Sequence, residues 1–236
     1  MPERARASGR AILVVSGTGT EVGKTWVAAR LLAALRRDGV RAVARKPVQS
    51  FEPGSGPTDA EVLAAATGQK PHAVCRPERW LPCAMAPPMA ADALGLPSFT
   101  VADLRTGLAM PTRGLVVVEG VGGPRSPLAA DGDTVDLAEM LKADAILLVA
   151  DAGLGAINAV RLAVAPFAPR RVVVFLNRFD PDHEVHRRNL AFLRDHDGID
   201  VVSAIGELVA WLAIGDHPLI DYRAPRTTSK RKRGSP

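Results

Sequence analysis

The sequence predicts an α/β fold: a mostly parallel central sheet with helices on both faces. Three observations carry this. Apolar runs recur at Ala11 to Val15, Arg41 to Ala44, Leu115 to Val118, Ala145 to Ala150, Val172 to Leu176 and Ile199 to Ala204. Most are continuous rather than alternating, as strands buried on both faces require. Stretches of helical character lie between them, and such alternation implies parallel strands. The first run also leads directly into Ser16-Gly17-Thr18-Gly19-Thr20-Glu21-Val22-Gly23-Lys24-Thr25 and then a helix. Strand, glycine loop ending in Gly-Lys-Thr, and helix form a phosphate-binding loop.

Each element has a local reason. After the loop, Val27, Leu31, Ala34 and Leu35 recur at helical spacing until Gly39. Thr58-Asp59-Ala60-Glu61 has the form of a capping box, opening a helix to Thr67 that Gly68 closes. Thr100 caps a helix toward Leu108, and Val135 to Leu141, Ile157 to Ala165 and His183 to Arg194 make three more. From Arg76 to Pro97 the chain carries Pro82, Pro87, Pro88 and Pro97 and is expected to be irregular, as binding loops and lids are. Met85 and Met89 there either line an apolar pocket or fill core.

The chain has 236 residues with 47% hydrophobic content, enough for one large core. No run approaches the roughly 20 apolar residues of a membrane span. The basic N-terminus is followed by no signal-peptide core, and two cysteines, Cys75 and Cys83, match no common zinc spacing. A cytoplasmic protein without a membrane partner is expected. Net charge is +5, but Arg223, Arg226, Lys230, Arg231, Lys232 and Arg233 crowd the end without an acid, and the rest is close to neutral. The expected organisation is a flexible N-terminus over 1–10, one α/β domain over 11–222, and a basic, disordered tail over 223–236. The tail could touch nucleic acid, but a disordered, solubilising terminus is the better reading, and no nucleic-acid partner is expected.

In parallel sheets, ligands bind at the carboxyl ends of strands. Lys24 is placed to reach the β- and γ-phosphates, and Thr25 to offer its hydroxyl to Mg²⁺. Gly23 and its neighbours let the backbone wrap a phosphate. The usual first loop glycine falls at Thr18, with Gly17 and Gly19 on either side, so the loop is a variant. Lys46, held extended by Pro47 past the second strand, either projects toward this loop or is a solvated charge. Asp59, in a first helical turn, is either a Mg²⁺ ligand or a favourable charge on the helix dipole. Glu119, delivered by a buried strand and followed by Gly120-Val121-Gly122-Gly123, has the form of a second metal-holding acid, unless another buried partner claims it. Asn158 stands near a helix start, where capping alone would explain it. Asn177 either offers donor and acceptor to a nucleotide base or is a turn residue.

In this order the motifs resemble the dethiobiotin synthetase family of P-loop NTPases. The match runs through Gly17 to Thr25, Lys46-Pro47-Val48-Gln49-Ser50, Asp59-Ala60, Glu119 to Gly123, Gly155-Ala156-Ile157-Asn158 and Asn177. The resemblance implies ureido ring closure on 7,8-diaminononanoate with CO₂, ATP and Mg²⁺. It implies phosphate holding by Lys24, with Gly19, Thr20, Glu21, Val22, Gly23, Thr25, Glu119, Gly122 and Asn177 around the nucleotide. By the same resemblance Lys46 stabilises the carbamate and the transferring phosphoryl, and Thr25, Asp59 and Glu119 hold Mg²⁺. Thr20 and Ser50 position substrate, while Leu154, Gly155 and Asn158 face the partner's substrate in a homodimer. Departures from the family pattern are Gly19 for an aspartate, Gly153 for a lysine, Phe51 for a small residue, and Gly206-Glu207-Leu208 without a proline. The alternatives weighed are a carboxylate-activating amidotransferase-type synthetase and a switch ATPase. The first usually carries a glutaminase domain that this length cannot accommodate, and the second often has an earlier loop lysine that is absent between Ser16 and Gly23.

Overall fold

A computed structural model describes residues 9–215 and 217–222. The expectations for most of the N-terminus and for the basic tail lie outside the described residues. In chain order the elements are β1 (Arg10–Gly17), α1 (Lys24–Arg37), β2 (Ala42–Arg45), β3 (Gln49–Ser50), α2 (Asp59–Thr67) and α3 (Pro71–Val74). Then come β4 (Trp80–Leu81), α4 (Pro87–Ala93), α5 (Val101–Gly107), β5 (Gly114–Glu119), β6 (Pro127–Ala129), β7 (Gly132–Asp133) and α6 (Thr134–Met140). The chain continues with β8 (Ala145–Asp151), α7 (Ala156–Val164), β9 (Val172–Asn177), α8 (Glu184–Ala191), β10 (Asp200–Val202) and α9 (Ile205–Leu212).

Six strands form one sheet in the order β10-β9-β8-β1-β5-β2, with every pairing parallel. All six expected apolar runs are strands of this sheet. Their alternate residues feed two cores. Ile12, Val14, Val116, Val118, Ile146 and Leu148 pack with residues of α4, α5, α6 and α7. Leu13, Val15, Val117, Leu147 and Val149 pack with Leu31, Leu32 and Leu35 of α1 and with residues of α2 and α9. A strand with both faces covered has no polar face to show, hence the continuous apolar runs. Each fully buried leucine contributes about 1.5–3 kcal/mol relative to exposure.

The capping boxes form as expected. Thr58 and Glu61 cap α2, and Gly68 at φ 74° ends it. Thr100 and Asp103 cap α5 in the same way. The proline-rich segment differs from expectation. Pro87 and Pro88 begin α4 rather than break structure, because proline at the first helical positions lacks only an N–H that would have no helical partner anyway. Pro77–Arg79 forms a 3₁₀ turn, and Trp80–Leu81 pairs in parallel with Gln49–Ser50. Met85 and Met89 are both exposed and fill no core. The expected helix from His183 is also shorter, giving way to a π-helical turn at Phe192–His196.

The central strand β1 is flanked by β5 and β8. Register puts Val15 beside Glu119 and Gly17 beside Val149. Arg45 of β2 lies beside Val118 of β5, so the residues just after β2 and at the end of β5 come out at one sheet edge next to the loop that follows β1.

Candidate active site at the carboxyl edge of the sheet

The phosphate-binding loop folds around its lysine. Gly23 sits at φ 92° as the residue before α1, a left-handed conformation that costs an L-residue roughly 1–2 kcal/mol. A Cβ at Gly23 would also come within 2.1 Å of the Asn177 amide nitrogen. Lys24 Nζ donates to the Gly19 carbonyl at 2.8 Å. Burial, and then the charge of Lys46, pull the Lys24 pKa down to about 8. Positive charge is thus held at a cost in a loop of backbone N–H groups, which suits a group that gains an anion on binding.

Lys46 is the centre of the second half of the site. Only 2% of its side chain is exposed, and Nζ lies 2.7 Å from Asp59 Oδ2 and 2.7 Å from Glu119 Oε1. It also donates to the Gly120 carbonyl at 2.9 Å. Burial acts to lower its pKa, but the charges of Asp59 and Glu119 and their hydrogen bonds outweigh that and raise it. The charge of Lys46 is in turn the main cause that holds Asp59 below the usual carboxylate range. Burial pushes Glu119 the other way, upward, against the pull of Lys46. The solvated-charge reading of Lys46 is excluded by its burial and its three partners.

Thr25 joins the halves. Its Oγ1 lies 2.8 Å from Asp59 Oδ1 and 2.8 Å from Glu119 Oε1. One hydroxyl proton can serve only one carboxylate at a time, and Glu119 Oε2 is buried with no hydrogen-bond partner. Among the described residues, no group of three or more His, Cys, Asp or Glu could hold a metal alone. Two carboxylates and a hydroxyl, one carboxylate oxygen orphaned, fit a hard divalent cation that takes its other ligands from phosphates and water.

Asn177 leaves the end of β9 and donates its amide N–H to the Val22 carbonyl at 2.9 Å. One N–H of its amide is therefore engaged with the loop. Gly122 adopts φ 51°, and a Cβ there would meet Ser126 Oγ at 2.3 Å and Thr20 Oγ1 at 3.8 Å. The glycine run after Glu119 thus passes close beside the phosphate loop. Thr20 and Glu21 are exposed on the loop's outer side. Ser50 is half-buried in the β3–β4 pair, and the neighbouring Phe51 ring meets Trp80 edge-on, with ring centroids 6.2 Å apart.

Leu154, Gly155 and Asn158 are exposed on the turn from β8 into α7, with Leu154 97% exposed and Gly155 at φ 90°. They stand at the same sheet edge but outside the Lys46 network. Asn158 does not cap α7, whose N-cap is Gly155 with no side-chain hydrogen bond.

Two supporting residues were missed. Gln49 Oε1 accepts from the Ala60 N–H at 2.9 Å, fixing the first turn of α2 and with it Asp59. A lone polar residue between buried Val48 and the chain's turn outward was the available signal. Arg178 donates to Asp151 Oδ2 at 2.8 Å and to the Glu21 carbonyl at 2.9 Å, strapping the loop to the end of β8. Nothing in the sequence pattern distinguishes that arginine from a surface charge.

A family model described as an AAA domain matches residues 11–209. The ATP-dependent dethiobiotin synthetase BioD of Haloferax mediterranei is 39% identical over 191 residues, covering 79% of this chain and 80% of that protein. The protein of the same name from Rhodococcus jostii is 37% identical over 201 residues, covering 82% and 85%. Among solved structures, cobyrinic acid a,c-diamide synthase from Mycobacterium smegmatis, with bound ATP analog and magnesium, superposes with TM-score 0.52 at 16% identity over 83% of this chain and 86% of that one. At that identity the likeness concerns the fold alone. With a phosphate-binding loop, a buried lysine between two acids, and relatives of one name matched over most of both lengths, the chain belongs to the ATP-dependent dethiobiotin synthetase family.

Proposed function

We propose that this chain closes a ureido ring on 7,8-diaminononanoate with CO₂ and ATP, giving dethiobiotin, ADP and phosphate. The observation that carries the reading is the Lys46 ammonium, buried between Asp59 and Glu119 beside the phosphate loop. A fixed cation there is suited to a reaction whose intermediates gather negative charge.

One substrate amine adds to CO₂ and loses a proton, giving a carbamate. A carbamate oxygen then takes the γ-phosphoryl group, and ADP leaves. The second amine attacks the carbamate carbon, and phosphate departs with the oxygen that carried it. Phosphoryl transfer needs alignment and charge neutralisation more than covalent help. Lys24 holds the β- and γ-phosphates, and Lys46 binds the carbamate oxygen and the transferring group. Gly19 to Thr25, Gly122 and Asn177 surround the nucleotide, and Thr20 and Ser50 orient the diamine. Thr25, Asp59 and Glu119 would hold Mg²⁺, which supplies charge neutralisation on the phosphates. Support for that metal set is the orphaned Glu119 Oε2 and the shared Thr25 proton.

The reading includes one synthetase domain over 11–222, a homodimer with substrate at the interface, and a cytoplasmic location. The dimer follows from the family resemblance, and Leu154, a large apolar side chain 97% exposed on a turn at the active edge, is the residue it would cover. Cys75 and Cys83 are free thiols, in keeping with a reducing compartment. No described helix is long and apolar enough to cross a membrane.

The deciding experiment is a bicarbonate-dependent assay with purified protein, diaminononanoate and ATP, following carbon label into the ureido product. Label in dethiobiotin with matching ADP release is expected. ATP turnover that needs some other acceptor and ignores the diamine would remove this assignment.

A further inference from the structure

Side chains alternate across a strand. At the end of β2 this sends Lys46 and the preceding Arg45 to opposite sides. Lys46 enters the site described above, and Arg45 turns toward the open edge of the sheet, under α3 and α5. There Arg45 is only 8% exposed. Its Nε and Nη2 donate to the Ala109 carbonyl, and its Nη1 donates to the Ala44 carbonyl. Among the described residues it has no carboxylate partner. A guanidinium carries five N–H groups, so two remain.

Buried charges are normally paired. A carbonyl could be capped by a neutral donor, so the caps do not account for a full positive charge at this depth. Burial depresses the Arg45 pKa with no acid to offset it. Arg45 also lines a cavity of about 400 Å³ together with His72, Arg76, Arg79, Asp103 and Thr106. That volume is within the usual range for small-molecule sites. Two acids also line the cavity. Glu78 pairs with Arg76 at 2.7 Å, and Asp103 accepts from the Thr100 N–H and hydroxyl at 2.8 and 2.7 Å. Arg79 lies over the Phe99 ring at 4.2 Å, without a carboxylate partner among the described residues. Three guanidinium groups, Arg45, Arg76 and Arg79, thus border one cavity against two carboxylates, Glu78 and Asp103. The Thr100 hydrogen bonds lower the Asp103 pKa, and the charge of Arg79 helps to lower it.

We propose that this cavity is a second ligand site, separate from the phosphate loop, that takes a small oxyanion on Arg45 and Arg79. Phosphate and carboxylate share the required chemistry, since both accept paired N–H donors from a guanidinium. The site shares its backbone with the catalytic edge: Lys46 and Pro47 also border the cavity, and the Lys46 N–H donates to the Val74 carbonyl at 2.8 Å.

The test is equilibrium dialysis of the full chain against labelled inorganic phosphate, with the loop filled by a non-hydrolysable ATP analogue and Mg²⁺. A parallel arm uses malonate and separates a carboxylate ligand from a phosphate one. One equivalent of either anion per chain is expected. Arg45→Gln should weaken it by about tenfold or more, the scale of a lost charged hydrogen bond. Since Arg45→Gln also removes two backbone contacts, Thr106→Glu provides a second variant at an exposed rim position and should abolish binding with folding intact. Failure of both anions to bind at millimolar concentration would overturn the site. So would binding that both variants leave unchanged.

Discussion

Lys46 Nζ lies 2.7 Å from Glu119 Oε1, and both side chains are almost wholly buried, at 2% and 1% exposure. The pair joins the end of β2 to the end of β5 and is completed by Asp59 from α2. A buried pair is weak evidence for stability, but removing one partner strands the other. Lys46→Ala should therefore lower stability by about 3–5 kcal/mol and kcat by roughly 10²–10³-fold, with affinity for the ATP analogue largely kept. Adding Glu119→Gln should return much of the stability and none of the activity. Denaturant melts and initial rates on the two variants decide this, and wild-type rates in Lys46→Ala would make that lysine a bystander.

The pH behaviour of the empty protein follows from Lys24. Its folded pKa is about 8, against an ordinary 10.5. Between those values the unfolded chain binds more protons than the folded one, so the Lys24 contribution to stability rises with pH over that window. Below it, the folded state bears the full cost of a buried charge. Bound phosphates reverse the shift, so nucleotide binding near pH 8–9 should take up protons. Calorimetry in buffers of different ionisation heat, with EDTA present, measures that uptake. Zero uptake at pH 8.5 would contradict it.

Gly23 and Gly19 look alike in sequence and should behave differently. A Cβ on Gly23 meets the Asn177 amide at 2.1 Å on a backbone at φ 92°, whereas one on Gly19 meets nothing within 4 Å. Gly23→Ala should cost about 1–3 kcal/mol and weaken nucleotide binding, while Gly19→Ala should leave stability unchanged. Asn177→Ala should partly rescue Gly23→Ala, giving a non-additive cycle. Strict additivity would mean that the close approach is not what constrains Gly23.

Leu154→Asp tests the dimer. The side chain is 97% exposed, so the change should leave the melting temperature of the isolated chain within a degree or two. If the turn from β8 to α7 sits at the interface, light scattering will show a halved mass, and KM for the diamine will rise. An unaltered mass and KM would exclude this turn from the interface.

The residues of the sequence determined more of this protein than its local structure alone. Continuous apolar runs marked all six sheet strands, because strands covered on both faces need apolar residues at every position. The capping boxes at Thr58 and Thr100 fixed two helix starts through bonds within four residues. The phosphate loop was legible for the same reason: its function is carried by neighbouring backbone. The proline-rich stretch was misread because proline both starts helices and breaks them, and only the path of the chain decides which. Tertiary structure alone decided the reading of Lys46, and it gave Asp59 and Glu119 that lysine as a shared buried partner. These residues are far apart in the chain, and a charge is solvated or functional according to what surrounds it. Strand order β2-β5-β1 brought them to one edge, while alternation along the strand turned Arg45, the residue next to Lys46, away from them and into the wall of a neighbouring cavity.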